Sequence, residues 1–369
     1  MCRARNAGLV LLGLLTAFCG EFSTQTDTSK QTAKRVRRAP GVWVSAAELA
    51  QLPMAGPAWQ RSKAQADAPA GSPNLSDQEQ MNNVWVLAKA LVFARTGEEK
   101  YRVEVRSQLE RAIDTEVGGR TLALGRELAA YVIAADLIAL QEYDPSFDSH
   151  RFRPWLKRTL TEELEGQTLR STHERRPNNW GTHAGASRAA VAVYLGDEKE
   201  LERTALVFRG WLGDRSAYAG FTYGDRSWQC DPAQPVGINP KGCRRDGHVI
   251  DGVLPDDQRR SGPFRWPPPH ENYVYEALQG ALVQAVILHR AGYDTFTWGD
   301  QAILRAYQWL DNVAGYRAQK DDVWQLPVVD YFYGTDFWDG SPASCGKNMC
   351  WTDWTHAKRG GGAATATRP

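Results

Sequence analysis

Two clusters of polar residues have types and spacings that could form a site for acid–base chemistry. The first is Arg176-Pro177-Asn178-Asn179-Trp180-Gly181-Thr182-His183-Ala184-Gly185. An asparagine at 178 or 179 suits the cap of the helix that the following small and apolar residues predict. His183 falls four residues after Asn179, so within one helix the two side chains project from one side. The second cluster runs from Asp246-Gly247-His248 through Asp251-Gly252-Val253-Leu254-Pro255-Asp256-Asp257-Gln258-Arg259-Arg260. It continues past Arg265 and His270 to Glu271-Asn272-Tyr273-Val274-Tyr275-Glu276. Histidine, arginine and tyrosine converging on one cleft can neutralise a carboxylate and move protons. Each also has a plainer reading: a helix cap, a buried core histidine, a solvated loop charge, a packed aromatic ring.

The elements that would position these clusters are helical. Val84–Ala94 and a helix ending near Ile113 are joined through Gly97. Ala184–Tyr194 and a helix to Leu212 are joined through Gly196. Tyr273–Arg290 and a helix from about Gly299 to Ala314 are joined through Gly292. In each pair a glycine stands where the first helix stops, and acidic residues open or precede the second. Further helices are predicted over 124–142 and 151–166. Repeated antiparallel pairs build a toroid, and no run of alternating residues supports a large sheet. The expected fold is therefore all-α, an incomplete (α/α) toroid of paired antiparallel helices.

Two segments break the helical pattern: 213–269, rich in Gly, Pro, Asp and Arg, and 324–354, which holds Tyr331, Phe332, Tyr333, Phe337, Trp338, Trp351 and Trp354. Long irregular segments in a compact domain are usually functional. Aromatic faces stack on sugar rings, so these loops are expected to line a saccharide cleft. For any one tryptophan, core packing between helices is the better reading.

The termini and cysteines bear on location. Arg3 and Arg5 precede an apolar run from Ala7 to Phe18, and Ala17-Phe18-Cys19 is a small-x-small cleavage pattern. Residues 1–19 are expected to be a signal peptide, directing the protein to the periplasm or outside the cell. Phe18 fits lipid attachment at Cys19 poorly. Residues 20–40 read as a polar leader, 41–359 as the toroid domain and 360–369 as a flexible tail. Cys230, Cys243, Cys345 and Cys350 would remain after cleavage, an even number that points to two disulfides. Local pairing, Cys230–Cys243 and Cys345–Cys350, is simplest, with the other pairings open. The spacings match no zinc finger, so neither metal nor cofactor is expected. A net charge of +1 on 369 residues provides no global field for nucleic acid or an anionic membrane, and no later stretch is apolar enough to span a bilayer. A polyanionic ligand would need a local basic cleft. A monomer is expected.

Taken together, the two clusters resemble the alginate lyase superfamily with the (α/α) toroid, polysaccharide lyase family five and more closely family thirty-eight. The matching residues are Asn178-Asn179, His183, Asp251-Gly252-Val253-Leu254-Pro255-Asp256 with Arg259 or Arg260, and Tyr273 before a helix, over about residues 80 to 315. The resemblance implies β-elimination on a uronic-acid polymer (alginate, polymannuronate or glucuronan) and unsaturated oligosaccharide products. It assigns Asn179 and Arg260 to neutralise the uronate carboxylate, and Tyr273 with His183 or His248 to supply acid and base. Asn178, Trp180, Arg259, Arg265, His270, Tyr275 and Trp338 become substrate contacts. In family five the histidine directly follows the Asn pair, whereas here Trp180 takes that place. The stretch from Arg260 to Tyr273 is longer and holds Pro267-Pro268-Pro269. That leaves Tyr273 against Tyr275, and Arg260 against Arg259 or Arg265, open. The rivals are a glycoside hydrolase, using a pair from Asp251, Asp256, Asp257 and Asp330, and a non-catalytic periplasmic polysaccharide-binding protein.

Overall fold

Four stretches, centred near residues 90, 130, 188 and 280, carry small or apolar residues on most sides with few charges, and a helix of that kind must be enclosed by others. The structure, a computed structural model, describes residues 39–357. The expected signal peptide, nearly all of the leader and the tail from 360 lie outside the described residues. In chain order the α-helices are α1 (Ala46–Ala50), α2 (Pro57–Asp67), α3 (Asn82–Thr96), α4 (Glu99–Ala112), α5 (Thr121–Leu137), α6 (Leu140–Tyr143), α7 (Pro145–Phe147) and α8 (Arg153–Thr159). They continue as α9 (Leu169–Arg175), α10 (Asn179–Leu195), α11 (Glu198–Trp211), α12 (Pro255–Gln258), α13 (Tyr273–Arg290), α14 (Trp298–Asn312), α15 (Gln325–Tyr333) and α16 (Thr352–Thr355). The named strands among the described residues form one two-residue hairpin, Arg244–Arg245 paired antiparallel with His248–Val249.

α5, α10 and α13 are buried along nearly their whole length, as is most of α3. These four pack in succession as an inner layer. α4, α11 and α14 each bury one stripe and cover the outside. Glycines allow the inner helices to approach closely. A methyl group on Gly125 would lie 2.9 Å from the Ala184 nitrogen, and one on Gly280 would lie 2.4 Å from the His183 nitrogen. The contacts advance together along each pair: Gly125 meets Ala184 while the Ala129 N–H donates to Ser187 Oγ at 3.0 Å, and Gly280 meets His183 while Gln284 meets Gly185. α5, α10 and α13 therefore run parallel. Gly97 and Gly196 end α3 and α10 in the left-handed conformation, at φ 73° and 67°, as the helix-stop reading predicts.

The helices make an incomplete ring, and a C-terminal segment joins its ends. The Asn83 side chain, at the start of α3, donates to the Lys347 carbonyl at 2.7 Å. Asn348 donates to the Gln279 carbonyl of α13 at 3.2 Å, and Trp351 Nε1 donates to the Val84 carbonyl at 2.9 Å. Both local disulfides are formed, Cys230–Cys243 in the long irregular segment and Cys345–Cys350 in the closing segment.

The structure differs from expectation in several local features. The helix predicted over 151–166 is a π-helical turn, Asp148–Phe152, followed by the short α8. Glu165 and Gly166, at φ 50° and 76°, then turn the chain. α9 was not predicted; it is launched by Thr168 and Ser171, which cap each other reciprocally. α15 occupies part of the aromatic-rich segment read as loop. Trp351 and Trp354 of that segment are buried in the core, as are Trp43, Trp155, Trp228 and Trp324. Ala39 donates to the Arg290 carbonyl at 2.7 Å, so the ordered domain starts before residue 41.

Candidate active site

Parallel inner helices bring their N-termini to one side of the ring. The first turn of a helix leaves N–H groups unsatisfied and carries partial positive charge, so a cleft there suits an anion. A cleft of about 510 Å³ opens at this place. Arg120 and Arg126 reach it from the first turns of α5, Asn179 and Trp180 from α10, and Asn272, Tyr273 and Glu276 from α13. Arg260 comes from the turn after α12, Lys347 from the closing segment, and Gln78 and Glu79 from the stretch before α3. Four cations thus face two carboxylates. Glu276 is paired with Arg126, and Glu79 with Lys347.

The two sequence clusters meet in this cleft. Asn178 caps α10, its side chain accepting from the Trp180 N–H at 3.2 Å. The Asn179 N–H donates to Asp257 Oδ1 at 3.1 Å, which fixes the start of α10 against α12. Asn179 Oδ1 lies 3.5 Å from Arg260 Nη2. Its Nδ2 is buried and has no partner within the protein. Leaving a buried donor unmade costs about 1–3 kcal/mol, so this amide is poised for an acceptor supplied by a ligand. The Arg260 guanidinium lies over the Tyr273 ring, 3.9 Å from its centroid. Tyr273 is 41% exposed and lines the cleft.

His183 is placed differently. It is fully buried against the Gly280 backbone, with no side-chain hydrogen bond. Burial, then the charges of Arg126 and Lys347, hold its pKa well below the usual imidazole range, against a smaller opposing contribution from the Glu276 backbone. It is a neutral imidazole beneath the cleft floor. Asp257 is buried too, and burial followed by the charge of Asp256 raises its pKa well above the carboxylate range.

The remaining predicted residues lie outside the lining of this cleft. His248 stacks flat on Trp266, 4.2 Å between centroids. Arg259 is clamped to Asp256 at 2.8 Å. Arg265 is exposed. His270 stacks on Tyr316 and meets the Ala314 carbonyl at 3.1 Å. Tyr275 is buried, with its hydroxyl donating to the Tyr316 carbonyl at 2.7 Å, so the geometry separates Tyr273 from Tyr275. Trp338 donates through Nε1 to the Ser341 carbonyl at 2.8 Å. Sequence reasoning missed the charged residues Glu79, Arg120, Arg126 and Lys347. Arg126 had a signal: it stands beside Glu127 within the largely apolar α5. The described residues contain no group of three or more acidic, histidine or cysteine side chains able to hold a metal.

A parallel-helix ring thus places a basic cleft at the helix N-termini, where negative charge is favoured. The model of the alginate lyase family, a group of polysaccharide lyases, matches residues 44–222, just under half of the chain. It is similar to a solved structure, an alginate lyase from Bacteroides ovatus, at 12% identity and a TM-score of 0.48, over 81% of this chain and 93% of that one. No curated protein matches.

Proposed function

We propose that the cleft cleaves a uronic-acid polymer by β-elimination. The observation that carries this is the unsatisfied Asn179 amide beside Arg260, with the partly exposed Tyr273 ring under the same guanidinium. A uronate carboxylate accepting from Asn179 and Arg260 has its charge offset, which stabilises the enolate-like state formed when C5 loses its proton. Tyr273 relays that proton. In one concerted step the Tyr273 hydroxyl gives its proton to the leaving glycosidic oxygen while the phenol oxygen takes the C5 proton; the C5–H electron pair becomes the C4–C5 double bond and the C4–O bond breaks. His183, buried and neutral, supports the floor beneath Asn179.

The hydrolase alternative needs a general acid with a raised pKa across from a second carboxylate. The two cleft carboxylates are both paired with cations, and the hydrogen bond from Lys347 helps hold Glu79 below its ordinary range. The protein is read as a monomer acting on an anionic polysaccharide such as polymannuronate or glucuronan. Export to the periplasm or beyond is supported by the two disulfides and the apolar N-terminal stretch. Among the described residues no helix is long and apolar enough to cross a membrane. Mass spectrometry of the products tests the chemistry. Unsaturated oligosaccharides, each one water lighter than the hydrolysis product, are expected; saturated ones would overturn the proposal.

A further inference from the structure

The segment that closes the helical ring also contributes a charge to the cleft. Cys345–Cys350 ties a six-residue loop whose backbone is held from both ends of the ring, by Asn83 on one side and Gln279 on the other. Asn348, Met349 and Cys350 are buried. Gly346 is pressed against Trp324, where a methyl group would lie 2.3 Å from Nε1. Lys347 is the residue of this loop that lines the cleft. Its ammonium pairs with Glu79, whose side chain is 59% exposed, while the lysine is 23% exposed. Lys347 is also close enough to act on the buried His183.

We infer that Lys347 is a carboxylate-binding residue of the polymer cleft, with Glu79 holding its charge in the empty state. This rests on the reading of the cleft as a polyuronide site. A uronic-acid chain carries a carboxylate on every sugar. The pair Asn179 and Arg260 can serve one of them, and a neighbouring sugar needs a separate cation. Lys347 meets that need from a wall formed by another part of the chain. Its loop is tied by a disulfide and by hydrogen bonds, so little order remains to be imposed on the backbone when the ligand arrives. Glu79 is exposed and gives way to water at low cost, so a ligand carboxylate can take over its partner.

A purely structural latch between Glu79 and Lys347 would respond differently from a binding residue, which makes the two separable. Removing either end of a latch does similar harm. Removing a binding lysine weakens the ligand, whereas removing its internal competitor strengthens it. The experiment measures KM and kcat on polymannuronate, polyguluronate and glucuronan for the wild type, Lys347→Ala, Lys347→Arg and Glu79→Gln, with circular dichroism to verify folding. Lys347→Ala should raise KM about tenfold with a smaller change in kcat, and added salt should shrink the difference. Lys347→Arg should recover most of the loss, and Glu79→Gln should lower KM. An unchanged KM in Lys347→Ala, or a rise of the same size in Glu79→Gln, overturns the inference. If the wild type makes no unsaturated ends, the elimination reading has failed. The lysine is then judged by the binding of saturated trimannuronate, followed through Trp fluorescence. Equal affinity in wild type and Lys347→Ala, or no binding by either, rejects it.

Discussion

The guanidinium of Arg260 lies over the ring of Tyr273, 3.9 Å from its centroid, and also reaches the side chain of Asn179. Residues 81 positions apart are thereby brought together by parallel packing of α10 and α13, with the Arg260 turn held between them by α12. Tyr273→Phe should keep the ring under Arg260 and lose the hydroxyl, lowering kcat about 100- to 10,000-fold with little change in binding. Tyr275→Phe should retain most activity and lose about 1 kcal/mol of stability, from its hydrogen bond to the Tyr316 carbonyl. Steady-state kinetics and denaturant melts on both variants check this; the reverse pattern would reassign the proton relay.

Asn179→Ala should lower kcat about 100- to 1,000-fold, since it removes a preorganised donor to charge that develops during the reaction. His183→Gln should cost less than Tyr273→Phe, because the imidazole is buried and exposes no nitrogen to the cleft. Single-turnover rates rank the three. A folded His183→Gln as inactive as Tyr273→Phe would transfer the base role to the histidine.

How far this site could be read from sequence depends on the range of the interactions. Gly97 and Gly196 marked helix ends because a left-handed residue is a local requirement. Asn178 and Asn179 marked the start of α10 for the same reason. The Arg126–Glu276 and Glu79–Lys347 pairs span 150 and 268 residues, and no local pattern announces such a partnership. The same-side argument for Asn179 and His183 was sound for the helix, but it could not show that close packing of α10 on α13 leaves the histidine fully buried. The aromatic-rich C-terminal stretch misled for a related reason. A segment that closes a ring must fill the seam, so Trp351 and Trp354 are buried instead of facing sugar.

Stability should depend on pH through Asp322. Burial foremost, assisted by the charges of Asp321 and Glu276 and opposed by hydrogen bonds from Gln279 and Gln325, raises its pKa to about 8. In the unfolded chain this group ionises near 4. Between those values the folded state binds the extra proton, so its contribution is full at low pH and is lost as pH rises through about 8. Asp322→Asn should flatten the fall in melting temperature between pH 6.5 and 8.5. An unchanged slope would contradict the assignment.

The two disulfides should separate in their effects. The Cys230–Cys243 loop is longer, 13 residues against 5 in sequence separation. Replacing that pair by serine should cost about 3 kcal/mol and the Cys345–Cys350 pair about 2 kcal/mol on loop-entropy grounds. The shorter loop holds Lys347, so its loss should raise KM more than the loss of the longer one. Melts and kinetics on the two double variants check both orders.

The most direct measurement follows ultraviolet absorbance and reducing ends together while the wild type and Tyr273→Phe act on polymannuronate, polyguluronate and glucuronan. Elimination creates one conjugated double bond for each new reducing end. On at least one polymer the two signals should rise in step for the wild type and vanish for Tyr273→Phe. Reducing ends that accumulate without absorbance, or absorbance that persists in Tyr273→Phe, would contradict β-elimination through this tyrosine.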